Sequence, residues 1–481
     1  HLSVARQWKA LGVARAAVTA LDRRQGYRGP IARVGDEPSA FDTAAGNTGW
    51  DDVRVGRVTR VAREEMEVRT GDDVRTLTRD AWSWCAPFEG SGDENGRELD
   101  RPDKAFAVGD VILLDAHGVV QEPRPQAALL FADRELGSVR AAITGISPDR
   151  DEFDRVDDGC RQPGSTFKPV VIATALEHGR TPASLLHDSP AAFTLSADET
   201  WTPRNADGSF RGVITLWETL AASRNLPAIE LARAVGIPTV IERAHRFGIP
   251  EPLEAVESLA LGASCVSPRS LASLYGYFSA GGRPFLTAAL SSARLGGRVE
   301  DDGHRWAEVE VDPWERVASL AEARLPRRSG EPVSVFQTAA LLRDVVLHGT
   351  AHELADVGFE VAGKTGTSTA FDAWFAGFSA TEVGTVWVGT DRNSRPLGKK
   401  ETGGALALPI WAAVARPAAP EARVLPAEPD GIVWLRIDPA TGAESARGMT
   451  MPFRVGTVPD VAAKGEAERD ALDIERLQRE F

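Results

Sequence analysis

The sequence predicts an α/β domain preceded by a small all-β barrel. Three observations carry this expectation. The chain has 481 residues, more than one compact core usually holds, so two or three domains are expected. From about residue 48 to 121, apolar residues alternate with polar ones at period two. From Pro125 onward, short apolar runs alternate with longer stretches of helical periodicity.

Residues 1–30 read as a linker helix and turn. Val4, Trp8, Leu11, Val18 and Leu21 recur at helical spacing, and the Asp22–Pro30 stretch ends the run at Gly26 and Pro30. The barrel is assigned to residues 31–121. Val53, Val55, Met66, Val68, Val74 and Leu77 alternate with polar residues, Gly71-Asp72-Asp73 supplies a hairpin turn, residues 86–104 form a polar acidic loop, and Val108–Leu114 is a further strand. A closed or nearly closed OB-like barrel fits this pattern. OB modules bind single strands through basic grooves, but acidic residues outnumber basic ones here, so a spacer or protein-contact role is expected, with an envelope protein as its partner.

Residues 122–460 form the α/β domain. Ala127–Ala132 and Ser138–Ile143 read as a hairpin, and Ser165–His178 as a helix with Pro169 near its start. Residues 215–247 read as helix with a break near Gly236–Pro238, while Val361–Gly363, Ala373–Phe378 and Thr385–Val388 read as strands of one sheet. Residues 461–481 are a charged tail. There is no internal repeat.

The net charge of −14 argues against nucleic acid and anionic membrane surfaces as partners. No stretch approaches the ~20 apolar residues of a membrane span. The chain starts at His1 without a Met or signal peptide, so the expectation is either a soluble protein or an anchoring segment that lies upstream and has been removed. Cys85, Cys160 and Cys265 make no metal spacing; Cys160 and Cys265 could pair, but buried free thiols are expected.

The chain has seven lysines against 48 arginines, and two of the seven stand in notable places. A lysine kept against that bias marks a need for a compact ammonium or an amine able to lose its proton. Lys168 closes Ser165-Thr166-Phe167-Lys168, and Lys364 opens Lys364-Thr365-Gly366-Thr367, with Ser223-Arg224-Asn225 between them. A serine hydroxyl needs a base within hydrogen-bond reach, and one helical turn puts Ser165 and Lys168 on the same face. Burial and a nearby cation such as Lys364 would free Lys168 of its proton. The helix N-terminus beneath Ser165 favours an oxyanion, and Gly164 permits close backbone approach. Singly these motifs are weak: an N-capping serine or a turn explains each. In this order they form the set shared by serine acyltransferases that react with penicillin.

The flanks extend this. Arg161–Pro169, Trp201–Asn205 with Ala222–Pro227, Val361–Ser368 with Asp372–Gly377, and the Leu342–Thr350 and Thr402–Trp411 stretches resemble class A penicillin-binding proteins. The Asp22–Pro30 turn, the barrel and Phe453–Thr457 resemble their Gram-negative bifunctional subgroup, so the resemblance covers nearly all of residues 1–460. The glycosyltransferase domain and anchor of that family are missing, as in a fragment of a longer protein. The acidic Asp154–Asp158 run replaces a less acidic stretch of the family.

The resemblance implies a penicillin-binding transpeptidase fold, an antiparallel sheet flanked by helices with a helical subdomain. It implies a peptidoglycan DD-transpeptidase acting on stem peptides that end in D-Ala-D-Ala, blocked by β-lactams, at the periplasmic face of the inner membrane. By resemblance Ser165 attacks the penultimate carbonyl, Ser223 relays a proton to the leaving amine with Lys364, and Asn225 holds Lys168 and the substrate amide. Thr365 and Thr367 bind the terminal carboxylate beside Gly366 and Ser368, and the N–H groups of Ser165 and Thr367 form the oxyanion hole. No metal or organic cofactor is implied. The rival readings are a β-lactamase or DD-carboxypeptidase with the same motifs, or a non-catalytic envelope scaffold. A class A β-lactamase has Ser-Asp-Asn second and adds a deacylating Glu; this chain has Ser-Arg-Asn and no obvious Glu-x-x-x-Asn. His348 is expected to be a packed or capping residue, Trp82 and Trp84 barrel core or surface, and Lys399-Lys400 a solvated turn.

Overall fold

The computed structural model describes residues 3–33, 53–87, 96–147, 152–194, 200–287, 293–295, 309–311, 330–368, 370–392, 395–419 and 421–457. The expected tail at 461–481 and part of the acidic loop lie outside the described residues.

Helix α1 (Val4–Arg24) is an integral part of the main core. Ala10, Leu11, Ala14, Val18 and Leu21 are buried, whereas Val4 and Trp8 are 72% and 65% exposed. The apolar stripe expected from Val4 onward is polar at its start: Arg6 pairs with Glu382, and the Gln7 amide engages both the N–H and the carbonyl of Ala142. Arg24 binds Glu401 in a two-pronged contact at 2.7 and 2.8 Å. The helix carries on through Asp22, which the sequence reading gave to a turn, and the chain turns at Gly26 with φ +99°.

A five-stranded antiparallel sheet follows: β1 (Arg54–Val61), β2 (Glu65–Thr70), β3 (Asp73–Thr78), the short helix α2 (Arg79–Trp82), β4 (Val111–Leu114) and β5 (Val119–Val120), in the order β3-β2-β1-β4-β5. The Gly71 hairpin forms as expected, with Thr70 opposite Asp73. The strand expected from Val108 begins only at Val111, because Gly109 (φ +98°) turns the chain. Among the described residues no ladder joins β3 to β5. Arg75 on β3 bridges to the carbonyls of Asp115 (2.6 Å) and Ala116 beyond β4. The sheet has its own core of Tyr27, Met66, Val68, Trp82, Cys85, Ile112 and Val119.

The second sheet uses β6 (Gln126–Asp133) and β7 (Val139–Ile143) as a hairpin. Between this hairpin and the remaining strands lie α3 (Lys168–Glu177), β8 (Leu185–Asp188), β9 (Phe193–Thr194), β10 (Thr200–Trp201), β11 (Gly212–Thr215), α4 (Leu216–Ala221), α5 (Leu226–Val235), α6 (Ile237–Arg246), α7 (Pro268–Ser279), β12 (Ala293–Leu295), β13 (Val309–Val311) and α8 (Pro332–His348). Strands β8 and β11, β9 and β10, and β12 and β13 form antiparallel pairs. Then come β14 (Val361–Ser368), β15 (Asp372–Ser379), β16 (Glu382–Gly389), α9 (Ala407–Val414) and the hairpin β17 (Ile432–Ile437) and β18 (Met449–Arg454). The sheet order is β14-β15-β16-β6-β7, antiparallel throughout. Its strands are apolar on both faces because both are covered. Phe375 and Gly384 face Trp411 of α9, which packs beside α1. Thr385 on the other face donates to the carbonyl of Pro268 at the start of α7, which packs against α8.

The helical stretch 215–247 is three helices. The break at Gly236 was expected; the break at Ala222–Asn225 is the second motif itself. One expectation is overturned: Cys160 and Cys265 form a disulfide across a sequence separation of 105, and only Cys85 is a free, buried thiol. Spacing gave no hint because the contact is made by folding. Arg161 and Val266 exchange both backbone hydrogen bonds (3.1 and 2.9 Å), which brings the neighbouring cysteines together.

A crosslink closing a loop of this length restricts the unfolded chain. Replacing both Cys160 and Cys265 with Ala is expected to lower unfolding free energy by about 2–4 kcal/mol. Denaturant titration with and without reductant checks this: reductant should destabilise the wild type and leave the variant unchanged.

Candidate active site

The chain 161–168 runs from the Arg161 bridge into a 3-10 turn at Gly164–Phe167 and then into α3. The helix expected from Ser165 therefore starts one turn later, and Ser165 sits in the tighter turn with its side chain half-buried at a cleft. This turn presses against β14. Gly164 has φ +56°, and a Cβ there would lie 2.8 Å from the Thr367 carbonyl. Gly366 faces back: a Cβ would lie 2.4 Å from the Pro163 carbonyl. Only glycine permits both approaches.

Lys168 is fully buried. Its Nζ donates to the Ser223 carbonyl at 2.6 Å and to Asn225 Oδ1 at 2.8 Å, with Ser223 Oγ at 3.4 Å. Burial is the main cause holding its amine well below the usual lysine range; the charges of Lys364 and Arg224 add to this, and Asp188 opposes it. A neutral amine has two donors and one lone pair. Both donors are then used on carbonyl oxygens, and the Ser223 hydroxyl at 3.4 Å is left within reach of the lone pair.

Lys364 is also fully buried, with Nζ donating to Thr350 Oγ1 (3.2 Å) and the Thr365 carbonyl (3.1 Å). Burial lowers it to about 7. Near neutral pH it is thus an amine that can take up or release a proton.

The second motif has unusual geometry. Ser223 has φ +56°, and among the described non-glycine residues only Ala370 shares a positive φ. Such a conformation costs about 1–3 kcal/mol and persists only when its surroundings enforce it. Arg224, 2% exposed, donates to Asp188 (2.7 Å), to Asp207 (2.9 Å) and to the Ser209 carbonyl. Asn225 N–H donates to Asn205 Oδ1 at 2.7 Å, and Asn225 Nδ2 to the Arg204 carbonyl at 2.6 Å.

On β14, Thr365 Oγ1 donates to Thr350 Oγ1 (2.9 Å), and Thr367 Oγ1 accepts from the Gly403 N–H (3.0 Å). Ser368 is buried, its hydroxyl committed to Asp372 at 3.0 Å. Ser165, Ser223, Asn225, Thr365, Thr367 and Ser368 line one cleft of about 810 Å³, and Lys168, Lys364 and Gly366 lie beneath it. His348, expected to be a packed or capping residue, is the last residue of α8 and is exposed at the cleft wall beside Trp217. Lys399 and Lys400 are exposed in a turn. The sequence reading assigned no role to Asp188, Asn205, Arg224 or Thr350. Asn205, Arg224 and Thr350 lay in stretches that matched; Asp188 gave no signal beyond a carboxylate at the end of an apolar run.

The sheet with helices on both faces and this cleft at the β14 edge define a transpeptidase domain. The family model described as "Penicillin binding protein transpeptidase domain" matches residues 130–415, and the chain belongs to that family. Penicillin-binding protein 1A of Pseudomonas aeruginosa is 32% identical over 472 residues, covering 89% of this chain and 57% of the relative. Penicillin-binding protein 1A of Neisseria gonorrhoeae is 34% identical over 298 residues, covering 61% of this chain and 36% of the relative. The chain thus spans about half the length, or less, of these relatives. The crystal structure of penicillin-binding protein 1A from Haemophilus influenzae shares the fold with a TM-score of 0.76, at 24% identity, over 95% of this chain and 72% of that one.

The two buried amines couple protonation to stability. Between about 7 and its ordinary 10.5, Lys364 is protonated in the unfolded chain and neutral in the folded one. The unfolded state binds more protons, so stability rises with pH across this window and levels above it. Lys168, also lowered by burial, has the same sign. Lys364→Met is therefore expected to gain stability relative to the wild type as pH falls from 10 to 7. Paired denaturation curves at several pH values check it; a constant difference would contradict it.

Proposed function

We propose that this chain carries the acyl-transfer site of a peptidoglycan DD-transpeptidase. The observation that carries the reading is Lys168: a buried amine, held by the Ser223 carbonyl and Asn225, one turn after a serine at the cleft. Ser165 Oγ attacks the carbonyl of the penultimate D-Ala, and its proton passes to Lys168 Nζ. The N–H groups of Ser165 and Thr367 face the developing oxyanion. The C–N bond to the last D-Ala breaks, and the leaving amine takes its proton through Ser223, with Lys364 as the nearby amine. A neighbouring stem's amine then attacks the ester, Ser165 regains its proton, and a cross-link is made. Thr365 and Thr367 hold the terminal carboxylate at the strand edge. β-Lactams acylate the same serine.

A class A β-lactamase hydrolyses its acyl-enzyme with a carboxylate poised to activate water. Among the described residues lining the cleft, Asp207 is the one carboxylate. Hydrogen bonds from Ser209 and then the Arg224 contact hold it well below the usual range, which suits an ion-pair partner and not a base. This favours a transpeptidase over a class A-type β-lactamase. The reading sets the site at the periplasmic face of the inner membrane. Among the described residues no helix is long and apolar enough to cross a membrane.

Labelling with a fluorescent penicillin tests the reading. Ser165→Ala is expected to abolish the adduct with the fold intact by circular dichroism. Lys168→Arg should lose acylation as fully as Lys168→Ala, about 10²–10⁴ in rate, because a guanidinium cannot accept the proton. Lys364→Arg should keep a measurable fraction. An adduct mapped to another residue, or a Lys168→Arg protein near the wild-type rate, would sink the assignment.

A further inference from the structure

The second motif does not hold its own shape. Ser223 lies in the left-handed region, and its carbonyl and the Asn225 side chain are the two acceptors that fix Lys168. What fixes them lies outside the three motifs. Asp188, fully buried at the end of β8, accepts from Asn205 Nδ2 at 2.7 Å through one oxygen. Its other oxygen accepts from Arg224 Nε at 2.7 Å and the Arg211 N–H at 3.0 Å. Asn205, aligned in this way, accepts the Asn225 N–H at 2.7 Å. Arg224, aligned in the same way, is 2% exposed and spans to Asp207 at 2.9 Å. One carboxylate therefore orients both neighbours of the Ser223-Arg224-Asn225 backbone.

We propose that Asp188 and Arg224 are a paired positioning device for acyl transfer: through Asn205 and the left-handed Ser223 they hold two hydrogen-bond acceptors on the Lys168 amine. The inference rests on the acyl-transfer reading of Ser165 and Lys168. The planar Arg224 fork joins Asp188 through Nε, Asp207 through one terminal nitrogen and the Ser209 carbonyl through the other, a rigid three-way span that a lysine cannot make. The Asp188–Arg224 pair is also electrically near balance, which matters because both charges act on Lys168. The charged groups acting on that amine are Lys364 from β14, Arg224 from the segment between α4 and α5, and Asp188 from β8. Arg224 disfavours its protonation and Asp188 favours it. Positioning and charge thus make separable demands, and single substitutions divide them.

The experiment is the pH profile of penicillin acylation, by stopped-flow or quenched fluorescent labelling, on the intact chain. The variants are Asp188→Asn, Arg224→Gln and Arg224→Lys, each with a thermal melt. Arg224→Gln removes a cation and is expected to move the acid limb to higher pH. Asp188→Asn removes an anion and is expected to move it to lower pH. Arg224→Lys keeps the charge but loses the fork, so the limb should stay while the plateau rate falls about tenfold to a hundredfold, the scale of a small misplacement. A purely structural pair would lower the amount of folded protein and leave the limb alone. Limbs that stay put in both Asp188→Asn and Arg224→Gln, or move the same way, overturn the proposal. So does an Arg224→Lys plateau at the wild-type level. If the wild-type chain itself forms no adduct at Ser165, the acyl-transfer reading fails first, and the two failures are told apart.

Discussion

Two amines taken out of water without a carboxylate in contact set the terms for the rest of the structure. Lys168 and Lys364 are both fully buried, and their hydrogen-bond partners are carbonyl, amide and hydroxyl oxygens. A buried ammonium is costly unless paired, so such a site favours the neutral amine. The chain keeps its strong ion pairs elsewhere and makes them with arginine: Arg24 with Glu401, Arg155 with Asp391, Arg224 with Asp188 and Arg243 with Glu177. The division of labour matches the chemistry of the two side chains, since a guanidinium is a fixed charge and an amine is not.

Keeping those amines dry requires close packing around the 3-10 turn that bears Ser165. Three long-range contacts provide it. The disulfide Cys160–Cys265 and the Arg161–Val266 bridge pin the segment leading into the turn. The glycine faces of Gly164 and Gly366 let the turn and β14 touch backbone to backbone. Gly262 adds a third such approach, since a Cβ there would lie 2.3 Å from the Gly164 carbonyl. The cleft is thus bounded by backbone held from three directions.

Legibility in the sequence followed the range of the interaction. The motif residues could be found because their chemistry is local: Ser165 and Lys168 lie one turn apart, and Lys364 to Ser368 lie along one strand. The β6–β7 hairpin and the Gly71 turn were readable for the same reason. Features made by folding were not. The Cys160–Cys265 pair joins residues 105 apart, and Asp188 meets Arg224 through a β8–β11 pairing that no period predicts. The face of α1 was misread at its start because Arg6 and Gln7, polar residues, make the contacts that Val4 and Trp8 seemed suited to make.

The Gln7 contact reaches beyond architecture. Strand β7 is the outer strand of its sheet, and an outer strand with free N–H and carbonyl groups is a template onto which another chain can add. The Gln7 amide occupies both groups of Ala142, and Arg15 covers the Ile146 carbonyl just beyond at 2.7 Å. Side chains of a helix here do what a sixth strand would otherwise do. Helix α1 therefore guards against edge-to-edge association on the margin of the sheet that lies opposite β14.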